Sequence, residues 1–281
     1  MTAFYSTAYS RDLGDELRLI REASTSLHGR AMAARLGWDP SKVSNLEHGK
    51  AHASEIDIVQ FLSTCGKDID FIEAFRQRYR HAFDPYFAQM PENLRTLAMT
   101  ESLATKITSY DLITPPGLLQ TKKYARELLT EGEAPEDVER FVEARAERQT
   151  ILRRITPPQC VFYVHEIALQ AQLGSAQDME DQYLRLMFNT HMLRLVPADV
   201  MISKLGPGCV LYEFEKAAPI VYSETNSVQV FAQDTAAVKR SRRLFERLSA
   251  VALDEQQSKS KLMEYVSALR EEPHDSGTDL A

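Results

Sequence analysis

Apolar residues recur at three- and four-residue spacing through most of the first eighty positions, which predicts successive amphipathic helices. After a loose arm over residues 1–10, Leu13, Leu17, Ile20 and Ala23 predict a first helix ending near Ser24. Gly29 to Leu36 predicts a short second helix, with Ala31, Ala34 and Leu36 inward and Gly37 as its stop. Asp39-Pro40 restarts the chain as a helix, because aspartate can cap free amides and proline fits the first helical position. That third helix runs to about His48, with Val43 and Leu46 inward. Ser54 caps a fourth carrying Ile56, Val59, Leu62 and Cys65, and Asp68 precedes a fifth carrying Ile69, Ile72, Phe75, Tyr79 and Phe83.

The pattern then mixes. Pro85 and Pro91 mark a linker over 84–92. Alternation over 103–110 and the apolar runs at 160–166, 192–196, 209–215, 219–224 and 228–232 predict strands. Helices are predicted over 122–129, 135–154, 179–189, 235–253 and 256–269. The last two carry apolar faces (Leu244, Leu248 and Val251; Leu262, Tyr265, Val266 and Leu269) that suit either a subunit contact or a core. The polar end from residue 273 is expected to be disordered.

At 281 residues the chain suits two domains, and 44% hydrophobic with 26% charged residues is a globular composition. No apolar run approaches the ~18 residues that suggest a membrane span, and no signal-peptide pattern opens the chain. A cytoplasmic location without membrane contact is expected. Cys65, Cys160 and Cys209 form no CxxC pair and are expected as buried free thiols. The net charge of −7 does not itself point to nucleic acid. Its distribution changes the picture: through Lys50 there are seven Lys/Arg against six Asp/Glu, so the acidic excess lies downstream.

The segment GRAMAARLGWDPSKVSNLEHGK carries the candidate chemistry. Two short helices meet at Gly37, and the small Ala33 four positions earlier lets them cross closely. With Val43 and Leu46 inward, Ser41, Lys42 and Asn45 face outward near the start of the second helix. A recognition helix offers its N-terminal side chains to base edges: Asn suits adenine, Lys suits guanine, and Ser is permissive. Arg30 and Lys50 suit phosphate contacts, which position the protein without specifying sequence.

LRLIREAS, AARLGWDPSKVSNLEHGK and SEIDIVQFL together resemble the Cro/repressor-type (XRE) helix-turn-helix family. The resemblance implies a five-helix lambda-repressor-like head, with Ser41, Lys42 and Asn45 at base-facing positions and Glu47 holding the domain together. Further on, TPPGLLQTKKYARELL, EARAERQTILRRITPP, HEIALQAQLG and VYSETNSVQVF resemble the C-terminal domain of antitoxin-like actinobacterial regulators. Pro116 to Arg126, Arg145 to Gln149 and Tyr222 to Thr225 fit that pattern. His165 replaces its usual aspartate before Glu166, and the glycine-rich loop is shortened to Leu205–Cys209. The resemblance implies action with a small partner protein encoded nearby.

The expected architecture is therefore mainly α with a smaller α+β C-terminal domain of mixed helix and sheet: head 1–83, linker 84–92, regulatory and dimerisation domain 93–272, tail 273–281. Gln120, Arg145, Arg148, Gln149, Glu166 and Glu224 are its notable polar groups. They are expected as structural pairs, with Arg145 or Arg148 meeting Glu166 or Glu224, or alternatively as the lining of a ligand or partner pocket. No catalytic motif, metal-ligand spacing or cofactor fingerprint stands in the chain. The expected function is a dimeric, non-enzymatic regulator that binds double-stranded DNA as a homodimer. The alternative is a small-molecule sensor with its pocket in the C-terminal domain.

Overall fold

The computed structural model describes residues 6–90, 93–200 and 208–271. The expected disordered tail, most of the shortened loop 205–209 and the first half of the expected N-terminal arm lie outside them. The chain divides into two compact units: Met1–Thr105 with Tyr212–Ser223 and Ser227–Lys239, and Lys106–Leu211 with Glu224–Asn226 and Arg240–Ala281.

The first unit opens with five helices: α1 (Ala8–Ser24), α2 (Gly29–Leu36), α3 (Pro40–Glu47), α4 (Glu55–Thr64) and α5 (Ile69–Tyr79). The cap chemistry acts as the sequence predicts. Asp39 accepts from the Ser41 amide, with Pro40 in the first helical turn. Ser54 and Asp57 form a reciprocal capping box, and Asp68 caps α5. Gly37 ends α2 in the left-handed conformation, with φ of 69°.

Three local expectations need correction. Ser6–Ser10 is not a loose arm: Thr7 caps α1 and its hydroxyl also donates to the Ala82 carbonyl. In α2 the buried pair is Met32 and Ala33, while Ala34 is exposed. Ile56 and Ile69, at the helix starts, face outward, and Ile58, Phe61 and Leu62 fill the core with Ile72, Phe75 and Tyr79. First-turn positions project toward the helix N-terminus, so correct periodicity does not ensure burial there.

The expected linker contains a strand, β1 (Tyr86–Gln89), paired antiparallel with β7 (Gln229–Ala232), Phe87 opposite Phe231. Tyr9 stacks on Phe87 with ring centroids 3.7 Å apart. An unexpected helix follows, α6 (Arg95–Leu103). Its start is bolted to α1: Arg95 and Thr96 donate to the buried Asp12 carboxylate at 2.5 and 2.7 Å. Packing and ion pairing thus hold β1 and α6 in place, beside prolines that read as a break. β6 (Ile220–Glu224) neighbours β7 in the strand order.

The second unit contains a parallel ladder of β2 (Lys106–Asp111), β3 (Gln159–His165) and β4 (Leu193–Val196), with Ile107 opposite Cys160 and Phe162 opposite Leu193. Parallel neighbours need crossovers. Here α7 (Lys122–Thr130) and α8 (Pro135–Arg148) join β2 to β3, and α9 (Ala176–Met187) joins β3 to β4. The long helix expected over 135–154 ends at Arg148 and continues only as a tighter 3-10 segment, Gln149–Arg153. β5 (Gly208–Glu213) completes the strands, and α10 (Thr235–Val251) and α11 (Glu255–Glu271) close the chain. Leu248, Leu262, Val266 and Leu269 on these helices are buried within the chain. The three cysteines are free; Cys65 and Cys160 are buried and Cys209 is half-buried.

Asp111, at the end of β2, accepts from the Ser109 hydroxyl at 2.5 Å, yet burial pushes its carboxyl up from 3.8 to about 7. Between those values the folded chain keeps a proton that the unfolded chain has released, so folding stability declines as pH rises from about 4 to about 7. Asp111→Asn is expected to flatten that slope and to stabilise the protein at pH 8 relative to wild type. Urea denaturation of both proteins at pH 5 and pH 8 checks this, and parallel slopes would refute it.

Candidate nucleic-acid interface

The helix-turn-helix is formed by α2 and α3 around Gly37. Behind α3, Val43 and Leu46 are buried, and Glu47 is sunk beneath the helix end. Arg21 of α1 meets Glu47 with two hydrogen bonds, Nε to Oε1 at 2.6 Å and Nη2 to Oε2 at 2.9 Å. A further N–H of Arg21 donates to the Leu27 carbonyl at 2.9 Å. Fork-to-carboxylate geometry fixes the angle of α3 against α1 as well as binding it. The hydrogen bonds to Glu47 raise the Arg21 pKa above its already high ordinary value.

The opposite face of α3 is open. Ser41 and Lys42 are exposed and Asn45 is half-buried. Ser44 and His48 extend the same face, and the His48 ring nitrogen Nδ1 lies 2.6 Å from the Ser44 carbonyl. Lys50 is exposed just beyond α3, and Arg30 is exposed in the first turn of α2. The side chains singled out from the sequence therefore all lie on the accessible parts of the two helices and the turn that follows.

Lys42 is less free than its position on the helix implies. Its ammonium lies 2.6 Å from Asp57 Oδ1 and 4.2 Å from the centre of the Trp38 ring. Burial pulls the Asp57 carboxyl up, but Lys42 and the Ser54 capping bonds more than offset this and hold it below the usual range. The lysine is cradled by an acid and an aromatic face, so a bound nucleotide would have to displace one of them. Sequence reasoning missed this arrangement because Asp57 lies 15 positions away. The chain's single tryptophan, one residue after the turn glycine, was the available signal.

The six polar residues marked further along the chain separate into distinct settings. Gln120 is buried and donates to the Pro115 carbonyl at 2.7 Å while accepting from Arg145 at 2.5 Å. Gln149 donates to the carbonyls of Gly117 and Gln120, both at 2.8 Å, and accepts from Arg185 at 3.0 Å. These bonds staple the Pro115–Thr121 turn, where backbone carbonyls have no regular ladder to satisfy them. Arg148, half-buried, ends α8. Glu166 sits elsewhere: it accepts from the Ala198 amide and the Tyr265 hydroxyl, both at 3.0 Å, with Lys261 at 3.2 Å. Glu224 is exposed at the end of β6.

His165, which departs from the resemblance, caps the 3-10 segment Glu166–Leu169. Its Nδ1 accepts from the Ile167 amide at 3.2 Å and Nε2 lies 3.4 Å from the Val200 carbonyl. Among the described residues no group of three or more His, Cys, Asp or Glu is placed to hold a metal ion, and no helix is long and apolar enough to cross a membrane.

Residues 12–75 match the family model of a helix-turn-helix domain. Residues 94–264, more than half of the chain, match that of a domain of unknown function (DUF5753). Nothing among curated proteins or solved structures matches the chain.

Proposed function

We propose that this chain, which belongs to the family of the domain of unknown function DUF5753, is a sequence-specific DNA-binding transcription regulator. The observation that carries this reading is the open face of α3, held at a fixed angle by the buried Arg21–Glu47 pair in a segment that matches a helix-turn-helix domain. In this reading the N-terminal half of α3 enters the major groove. Ser41 and Asn45 address base edges, and Asn45 is suited to the paired acceptor and donor of adenine. Lys42 exchanges Asp57 for a guanine acceptor or a phosphate. Arg30 and Lys50 grip the backbone on either side.

The head carries almost no excess positive charge, so one copy gains little from counterion release. That supports action as a homodimer, two heads reading half-sites about 34 Å apart. The remainder of the chain would then supply dimerisation and control by a small partner protein, with no catalytic part. The bonds of Gln120 and Gln149 to backbone carbonyls support a structural role for those residues over a ligand pocket in that region.

An operator selected from random duplexes tests the reading by electrophoretic mobility shift. Asn45→Ala is expected to lose about 1–3 kcal/mol of discrimination at one base position. Lys50→Ala is expected to weaken all sequences alike and to reduce the salt slope by about one. Unchanged operator affinity in both variants would reject this reading surface.

A further inference from the structure

Beside the end of α3 the first unit contains a cavity of about 290 Å³, lined among others by Arg11, Lys50, Leu103, Phe214 and Lys216. Three cations of different origin converge there: Arg11 from α1, Lys50 from the turn after α3, and Lys216 from the segment after β5. Among the described residues Glu215 is the one acid on the lining. Leu103 and Phe214 supply apolar surface.

Arg11 is the unusual member. Its two terminal guanidinium nitrogens are buried and have no hydrogen-bond partner among the described residues. Its guanidinium carbon lies 5.0 Å from the centre of the Phe214 ring. An aromatic face attracts a cation but accepts none of its in-plane N–H bonds. A buried guanidinium with an open fork is costly unless an anion meets it. Burial lowers its pKa to about 10, so it still holds its charge at neutral pH. The fork is shaped to take two oxygens of a carboxylate side by side, and the volume is near the lower end of small-molecule sites.

We infer that this cavity is a binding site for a small organic carboxylate, whose anionic group seats on Arg11 with Lys50 and Lys216 and whose apolar body lies against Leu103 and Phe214. Because Lys50 lines the cavity and is also a proposed phosphate contact, a bound carboxylate competes for the same cation and weakens DNA binding. The second half of this inference rests on the proposed function; the first half does not.

The test uses the full chain with benzoate as probe and neutral benzamide as control, all at constant ionic strength because DNA affinity depends on salt. By calorimetry, wild type is expected to bind benzoate saturably and benzamide at least tenfold more weakly. Arg11→Met removes the fork but retains a long side chain and is expected to abolish benzoate binding. If that variant fails to fold, Lys216→Gln, on a surface segment, is expected to weaken benzoate at least threefold. Equal binding of benzamide, no saturable benzoate binding, or benzoate affinity unchanged in a folded variant would overturn the site. Saturating benzoate is expected to weaken operator binding about fivefold or more, within the usual range of coupling between sites, and operator affinity indifferent to it would overturn the coupling. A chain that binds benzoate through Arg11 but selects no duplex would retain the pocket and refute the DNA-binding reading.

Discussion

Glu47→Ala is expected to destabilise the helix-turn-helix region by about 3–5 kcal/mol, the usual consequence of stranding one partner of a buried ion pair. The side chains of Arg21 and Glu47 are only 7% and 6% exposed, so water cannot replace the lost carboxylate without opening the core. Two N–H groups of Arg21 would lose their Glu47 acceptors together, leaving the bond to Leu27 and a long contact, 3.4 Å, to the exposed carboxylate of Glu22. Against a typical total of about 5–15 kcal/mol for a domain, this loss is large. The partner variant separates burial of charge from loss of shape. In Arg21→Met/Glu47→Leu no charge remains to be solvated, and most of the stability is expected to return. Urea denaturation followed by circular dichroism measures both. A cost below about 1 kcal/mol for Glu47→Ala would mean the pair is screened like a surface bridge, and the assigned geometry would be wrong.

Gly49→Ala is expected to be comparably damaging, about 3 kcal/mol or more, for two combined reasons. Gly49 follows α3 with φ of 59°, a conformation that L side chains rarely adopt. An added methyl would also run into the backbone of Ser10 and Arg11, which cannot move aside like a side chain. The opposing helix makes the same demand: a Cβ on Gly14 would lie 2.7 Å from the Gly49 nitrogen and the Leu46 carbonyl. Here α1 and the end of α3 touch backbone to backbone, with the Ser10 hydroxyl donating to the Gly49 carbonyl at 2.8 Å. Gly37→Ala is the control, since Gly37 shares the positive φ, 69°, but would meet nothing within 4 Å. It is expected to cost only about 1–2 kcal/mol. Thermal unfolding of the two single variants decides the matter: equal losses for Gly37→Ala and Gly49→Ala would remove the close approach as a cause.

Legibility in the sequence followed the range of the interaction. Caps at Asp39, Ser54 and Asp68 and the stop at Gly37 each depend on groups within about four residues, and all appear where the spacing places them. α6 begins at Arg95 without a side-chain cap, and its anchor, Asp12, is 83 positions earlier. No local rule could find it. β1 is four residues with alternate positions exposed, next to Pro85, and its partner β7 is some 140 residues away. Exposed Ile56 and Ile69 show the converse: the hydrophobic period is present, but both stand in the first turn of their helices and stay open to solvent.

For the candidate site, the sequence by itself determined a helix-turn-helix with Ser41, Lys42 and Asn45 on one side of a capped helix, because side-chain direction on a short helix follows from its period. Only the tertiary structure decided which charges are free. It committed Lys42 to Asp57 and Trp38, locked Arg21 onto Glu47, spent Gln120 and Gln149 on a turn, and left the Arg11 fork open over Phe214. The Lys42–Asp57, Arg21–Glu47, Gln149–Gly117 and Arg11–Phe214 contacts join residues far apart in the chain. Charge pairing depends on distance and burial in space, which no one-dimensional spacing encodes.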